Sequence, residues 1–209
     1  MNTFSITESF KFGWETFKKR PWFFMGAALA MLIVSGIISG FSDGGKMNDP
    51  HVLASIIGML VGAFMELLLL RLMLKAHDSP ESVQFSDAWA QLPYLPYLGV
   101  KIVTGVIVVI GLILLIVPGL IAAAMLLFAN YLVADKHLGV LDALKESMRI
   151  TKGHRAKLIV LILAVALINV LGALLLFVGL VVTLPVSLLA VTHVYRSLEH
   201  KANEVVAAA

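Results

Sequence analysis

The stretch YLGVKIVTGVIVVIGLILLIVPGLIAAAMLLFANYLVA, residues 97–134, contains a single charged side chain, Lys101. About 20 apolar residues in a helix cross a hydrocarbon core of about 30 Å. The stretch therefore reads as two membrane spans, 97–117 and 120–134, folded back on each other at Pro118 and Gly119. Proline lacks an amide donor and glycine frees the backbone, a pair suited to ending one helix and starting the next. The second window of 15 residues covers only about 22 Å at helical rise. It must borrow residues from its neighbour or turn inside the membrane.

Working outward, the same reading gives spans at 22–41 and 52–74 before this pair and at 158–178 and 180–198 after it. The fold class is all-α, a polytopic integral membrane protein with six transmembrane helices in three hairpins. The composition agrees. Sixty per cent of the 209 residues are apolar, 14% are charged, and the mean hydropathy is +0.96. A water-soluble domain of this size could not bury that much apolar surface, so lipid is the solvent. Length allows one membrane domain, 1–209, and no separate soluble one. Lys18, Lys19 and Arg20 before the run 22–41 look like the start of a signal peptide. The run is too long for one and no cleavage pattern follows, so it is read as a retained span. There is no cysteine, which excludes disulfides, thiol nucleophiles and thiolate metal sites.

Charge positions set the orientation. Of the 16 lysines and arginines only Lys46 falls on one side of these six spans, and all the others fall on the other. Cytoplasmic loops retain positive charge, so both termini are placed in the cytoplasm and the protein in the bacterial cytoplasmic (inner) membrane. Interfacial amphipathic helices are predicted at 5–19 and 140–152. The first opens with Ser5 and Glu8 in capping-box spacing, and puts Phe10, Trp14 and Phe17 opposite Lys11, Glu15 and Lys18. The second alternates Leu141, Leu144 and Met148 with Lys145, Glu146, Arg149 and Lys152. A weaker version lies between Ser86 and Leu95. Aligning Glu8, Asp87 and Asp142 places an apolar hairpin after each, a pattern-level internal repeat.

From Val117 to Arg155 the chain carries Val117-Pro118-Gly119, Ala134-Asp135-Lys136, Gly139, Ala143-Leu144, Ser147-Met148-Arg149 and Thr151-Lys152-Gly153. These motifs, with Phe12-Gly13-Trp14 and Phe17-Lys18-Lys19 near the start, resemble the YciC-like family of uncharacterised bacterial inner-membrane proteins. That family looks related to the membrane domain of some glycerophosphoryl diester phosphodiesterases. The resemblance implies a six-helix membrane domain and almost no biochemistry. The soluble phosphodiesterase domain is absent, so that activity is not implied.

Four polar residues inside the spans form a candidate intramembrane site: Glu66, Asn130, Asn169 and His193. A charge in a span is costly unless paired, protonated or wet, which marks Glu66 as a proton, ion or headgroup contact or else as one half of an interhelical pair. The two asparagines and the histidine serve a polar cavity or, more commonly, hydrogen bonds between helices. Lys18, Lys19, Arg20, Lys145, Arg149, Lys152 and Arg155 are candidate contacts for anionic phospholipids. Gly36 with Gly40 and Gly58 with Gly62 are GxxxG pairs that permit close helix approach, first between the first two spans and otherwise in a homodimer. No GxSxG elbow, P-loop or HExxH motif occurs, and no cofactor is expected. The expected function is a non-enzymatic membrane protein that contacts lipid or assists another membrane protein. The alternatives are a small carrier using Glu66 and, more remotely, a lipid-modifying enzyme. Nucleic acid is not an expected partner: the basic residues share a helix with an apolar stripe and have no aromatic stacking platform.

Overall fold

The computed structural model describes residues 4–41, 50–89, 91–175 and 178–207, whose regular structure is entirely helical. The order is α1 (Ile6–Lys19), α2 (Pro21–Phe41), α3 (Pro50–Asp78), a 3-10 turn (Phe85–Ala88), α4 (Tyr94–Leu114) and α5 (Ile116–Leu126). Then come α6 (Ala129–Lys136), α7 (Val140–Ile150), α8 (Arg155–Leu174) and α9 (Leu180–Ala207). Among the described residues five stretches are long and apolar enough to cross a membrane: Ser55–Asp78, Tyr94–Leu114, Ile116–Lys136, Arg155–Leu174 and Leu180–Glu204. A sixth is counted if α1 and Pro21–Ile37, bent by 102°, form one broken span. The count is therefore five to six.

Burial separates central from peripheral helices. In their most apolar windows α4 is 11% buried and α8 17%, against 44% for α3 and for α5 with α6, and 50% for α9. The outer faces of α4 and α8 expose Ile102, Val106, Val109, Leu163, Leu167 and Val170. Hydrocarbon covers such faces at no cost. Buried side chains gather toward one end of the bundle. One cluster joins Leu70 and Leu74 of α3, Phe128 and Leu132, Leu144 of α7, and Tyr195 and Leu198 of α9. A second joins Phe17, Phe24, Leu69, Met73 and Leu189. Asp78, Lys136 and Lys201 lie toward the same end, called here the charged end.

The span expected at 120–134 begins at Ile116, taking in two residues of its neighbour and both residues of the expected turn. The chain turns at Leu115, the one extended residue between α4 and α5 (φ −163°, ψ 145°). Pro118 and Gly119 thus lie inside the first turns of α5 rather than at the break. Proline is tolerated there because the first amides of a helix have no partner. Gly119 serves close approach instead. A β-carbon on it would meet Leu112 N at 2.7 Å, and one on Gly111 would meet Gly119 Cα at 2.9 Å.

The same span is interrupted between Leu126 and Ala129, and α7 mends the interruption. Ser147 Oγ donates to the Met125 carbonyl at 2.8 Å and accepts the Phe128 amide at 3.3 Å. Thr151 Oγ1 donates to the Ser147 carbonyl at 2.8 Å and reaches the Met125 carbonyl at 3.3 Å. Both side chains are fully buried. Helix α7 is thus docked into a broken span, and its exposed Leu141 and Lys145 face outward.

Helix α1 begins as the sequence implies, with the Glu8 amide donating to Ser5 Oγ at 3.4 Å. Its buried face differs from expectation. Ser9, Gly13, Thr16 and Phe17 are buried, whereas Trp14 is 46% exposed. The small residues allow α1 to lie along α9. A β-carbon on Gly13 would come within 2.5 Å of the Val186 carbonyl oxygen, while Phe12 stacks on His193 at 4.3 Å between ring centres.

At Gly36 and Gly62 the close approach expected between the first two spans is not seen. Nothing lies within 4 Å of a β-carbon added to Gly36 or Gly62, so neither is a point of close helix approach. Gly58 is buried, and the surroundings of Gly40 lie outside the described residues. Helices α2 and α3 meet instead through Phe24 and Ala27 against Leu68, Leu69, Leu72 and Met73.

Candidate functional site

The charged end carries two sites built from different chemistry. The first is centred on Arg196, held on α9. Its guanidinium donates to both oxygens of Asp135 (2.7 and 3.0 Å), to Asp78 at 2.7 Å and to Glu199 at 3.3 Å. Tyr195 donates its hydroxyl to Asp135 at 3.0 Å, and Lys136 pairs with Glu199 at 2.6 Å. A planar, permanently charged fork suits such a junction, because it can satisfy a carboxylate with two parallel hydrogen bonds. The junction ties α3, α6 and α9 together. A cleft of about 280 Å³ beside it is lined by Arg71, Lys75, Asp78, Asp87, Asp135 and Arg196. Three cations face three carboxylates there, so the lining is balanced. Arg71 also donates to the Gln91 carbonyl at 3.0 Å, where Gln91 adopts a left-handed backbone (φ 43°).

From Asp78 the network continues into a pair of histidines. His77 Nδ1 faces Asp78 at 3.0 Å, and its Nε2 lies 3.2 Å from His193 Nδ1. Phe12 packs against both rings. His193 is thus hydrogen-bonded to another helix. The other candidates within the spans have separate partners. Glu66 forms an ion pair with Lys101, joining α3 to α4. Asn169 donates to the Val165 carbonyl at 2.9 Å and to Ser187 Oγ at 3.3 Å. Asn130 sits on α6 with its side-chain oxygen buried and without a hydrogen-bond partner. The four share no partner with one another.

The second site is basic. Between the end of α7 and the C-terminal part of α9, a cleft of about 290 Å³ is lined by Arg149, Ile150, Lys152, His154, Leu198, Lys201 and Ala202. It has cationic walls, an apolar floor and no carboxylate among its lining residues. Arg149 is steered by Glu146, to which it donates twice (2.7 and 2.6 Å), and by the Ala202 carbonyl at 3.2 Å. That contact holds the Glu146 carboxyl below its usual range and the guanidinium above its own. His154 is held below the ordinary histidine value by burial, and further by nearby Lys201 and Lys157. It is therefore neutral at pH 7.

The candidate lipid contacts divide accordingly. Arg149 and Lys152 line the basic cleft, and Arg155 follows it at the start of α8. Lys145 lines a shallower neighbouring surface with Lys136 and Asp142. Lys18, Lys19 and Arg20 lie elsewhere, at the α1–α2 bend. There Arg20 donates to the Val83 carbonyl at 2.5 Å and stacks on Phe23, while Lys18 lies over Trp14. Sequence reasoning missed Asp78, Asp135, Arg196 and Glu199 as a network and His77 as the partner of His193. Helix assignment alone gave one usable signal, since Arg196 and Glu199 are three residues apart on one face. Among the described residues no group of three or more histidines, cysteines, aspartates and glutamates is arranged to hold a metal ion.

Comparison with known proteins places the chain without assigning it chemistry. The family described as protein of unknown function (DUF975) matches residues 3–202. This fits the uncharacterised family that the motifs between Val117 and Arg155 resemble. No curated protein and no solved structure matches.

Proposed function

For a chain that belongs to the DUF975 family of proteins of unknown function, we propose a non-enzymatic role in the bacterial cytoplasmic membrane, binding anionic phospholipid at its charged end. Both termini face the cytoplasm in this reading, because the lysines and arginines gather at that end and positive loops stay inside. The observation that carries the proposal is the basic cleft of Arg149, Lys152, His154 and Lys201 over Ile150, Leu198 and Ala202. A phospholipid headgroup matches both halves. Its phosphate meets the cations while its glycerol and upper chains meet the apolar floor. Each cation near an anionic headgroup contributes about 1 kcal/mol, so Lys152 and Lys201 together account for roughly 2 kcal/mol, about thirtyfold in affinity.

The test is thermal stabilisation of the purified protein in mild detergent by added lipid. Phosphatidylglycerol is expected to raise the melting temperature as mass action requires, and phosphatidylcholine to leave it nearly unchanged. Added salt weakens the effect, and Lys152→Ala with Lys201→Ala removes most of it. Equal stabilisation by the two lipids would refute the proposal.

A carrier is the second reading, favoured by the Glu66–Lys101 ion pair within the spans and by the apolar groove beside Lys101. That groove runs between α3 and α4, past Met59, Ala63 and Ile102. It requires solute flux in liposomes that Glu66→Gln abolishes, a result the lipid-binding reading does not give.

A further inference from the structure

The hairpins differ where they turn. The connection between α2 and α3, residues 42–49, reads SDGGKMND and is rich in polar side chains. The turns between α4 and α5 and between α8 and α9 have none. Residues 105–129 and 170–182 are all apolar, glycine or proline. Ile113, Leu114, Leu115, Ile116 and Val117 are each at least 65% exposed, as are Leu174, Leu175 and Val178. Water-facing turns of a membrane protein carry polar residues. These carry large aliphatic ones.

The described backbone bonds of the two turns have the same spacing. The Leu115 amide donates to the Gly111 carbonyl at 3.0 Å and the Gly119 amide to the Leu115 carbonyl at 3.3 Å. In the second turn Leu175 donates to Leu171 at 3.3 Å and Gly179 to Leu175 at 3.4 Å. Glycines close both clasps. A β-carbon on Gly179 would lie 2.5 Å from the Gly172 carbonyl oxygen, as one on Gly119 would strike Leu112. Pro118 removes an amide that would otherwise stand unpaired at the start of α5. In hydrocarbon each unpaired backbone group costs several kcal/mol, so a turn seated there must be short and bonded to itself. Each turn carries two such bonds at the same four-residue spacing.

We propose that the turns centred on Leu115 and Leu175 are seated in the hydrocarbon of the leaflet opposite the termini, with acyl chains as their contact. The leaflet is drawn inward over them. This stands on different residues from the basic cleft, and either idea can fail alone. The chain has no cysteine, so single-cysteine variants of the full protein report one position each. Spin labels at Leu115→Cys, Leu175→Cys and Lys46→Cys, in phosphatidylcholine–phosphatidylglycerol bilayers, are tested for collision with oxygen and with a water-soluble nickel chelate. High oxygen and low nickel collision at 115 and 175, with the reverse at 46, is the expected result. High nickel collision at 115 and 175 would place the turns in water and overturn the proposal. Low collision with both reagents would show them covered by protein, a second copy or a partner, and would overturn it too. Low nickel collision at 46 would remove the contrast between the hairpins and count against it equally. Should either of the first two variants fail to fold, Ile113→Cys and Val178→Cys, both exposed, give the same reading.

Discussion

At the charged end Arg196 holds three carboxylates from three helices, Ser147 and Thr151 mend a broken span, and Gly13 lets α1 lie against the backbone of α9. At the other end Ile113 to Val117 and Leu174, Leu175 and Val178 are largely exposed, and Gly105 has open space where a side chain would start. The two ends share a composition of long apolar helices and differ in what holds them. Between helices in lipid there is no hydrophobic driving force, because the acyl chains are as apolar as leucine. Close packing and hydrogen bonds decide association instead. The charged end has both. Among the described residues, the apolar end has close packing within its two glycine clasps.

The comparison breaks first at Arg196. Replacing it with methionine leaves Asp135, Asp78 and Glu199 without their shared cation. Removing one partner from a buried charge cluster costs about 3–5 kcal/mol; Arg196 is partly exposed, so the lower figure is expected, read as a large drop in melting temperature in detergent. Arg196→Lys rescues only part, because an ammonium cannot bind one carboxylate with two parallel hydrogen bonds. Next, Ser147→Val strands the Phe128 amide, leaves the Met125 carbonyl only its longer contact with Thr151, and is expected to cost about 1–3 kcal/mol. Gly13→Ala forces α1 away from the Val186 carbonyl at a similar cost, about 1–3 kcal/mol. By contrast Gly105→Ala at the apolar end meets nothing and gains about 0.5–1 kcal/mol of helix propensity. A destabilising Gly105→Ala would show that this face is packed after all.

The smallest effect is a pH dependence at His154. Its proton affinity is lowered by burial and by Lys201 and Lys157, so the folded state binds fewer protons than the unfolded one. Stability from this group is present above the unfolded value of about 6.5 and falls as the pH drops below it. A bound anion favours the imidazolium and raises the folded value. Anionic phospholipid therefore shrinks the acid-side loss, and its binding tightens as the pH falls. Imidazole proton signals followed by NMR with and without phosphatidylglycerol check the direction.

How much of this could be read from the chain divides along the same line. The long apolar windows and charge bias gave the membrane helices to within one span, because hydrocarbon imposes length and polarity directly. The basic cluster around Arg149 and Lys152 was visible because α7 is amphipathic and local. What escaped were contacts made at a distance. Arg196 and Asp135 look like ordinary flanking charges until α9 and α6 are side by side, and Lys101 looks like a topology signal until it meets Glu66. Gly36 and Gly62 pointed to the first two spans because GxxxG spacing permits close approach without requiring it, whereas Ser9, Gly13 and Thr16, also at helical spacing but with one glycine, form the contact that is used. Pro118 misplaced the turn by three residues because proline is as much at home in the first turn of a helix as in a break.

The difference between the two ends is tested most directly by distances between paired spin labels in lipid bilayers. One pair, Lys75→Cys with Lys145→Cys, spans the charged end, and the other, Ile37→Cys with Leu115→Cys, spans the apolar end. All four side chains are exposed, so the labels disturb little. A narrow distance distribution at the charged end and a distinctly broader one at the apolar end is the predicted result. Equal widths, or a narrower distribution at the apolar end, would contradict it.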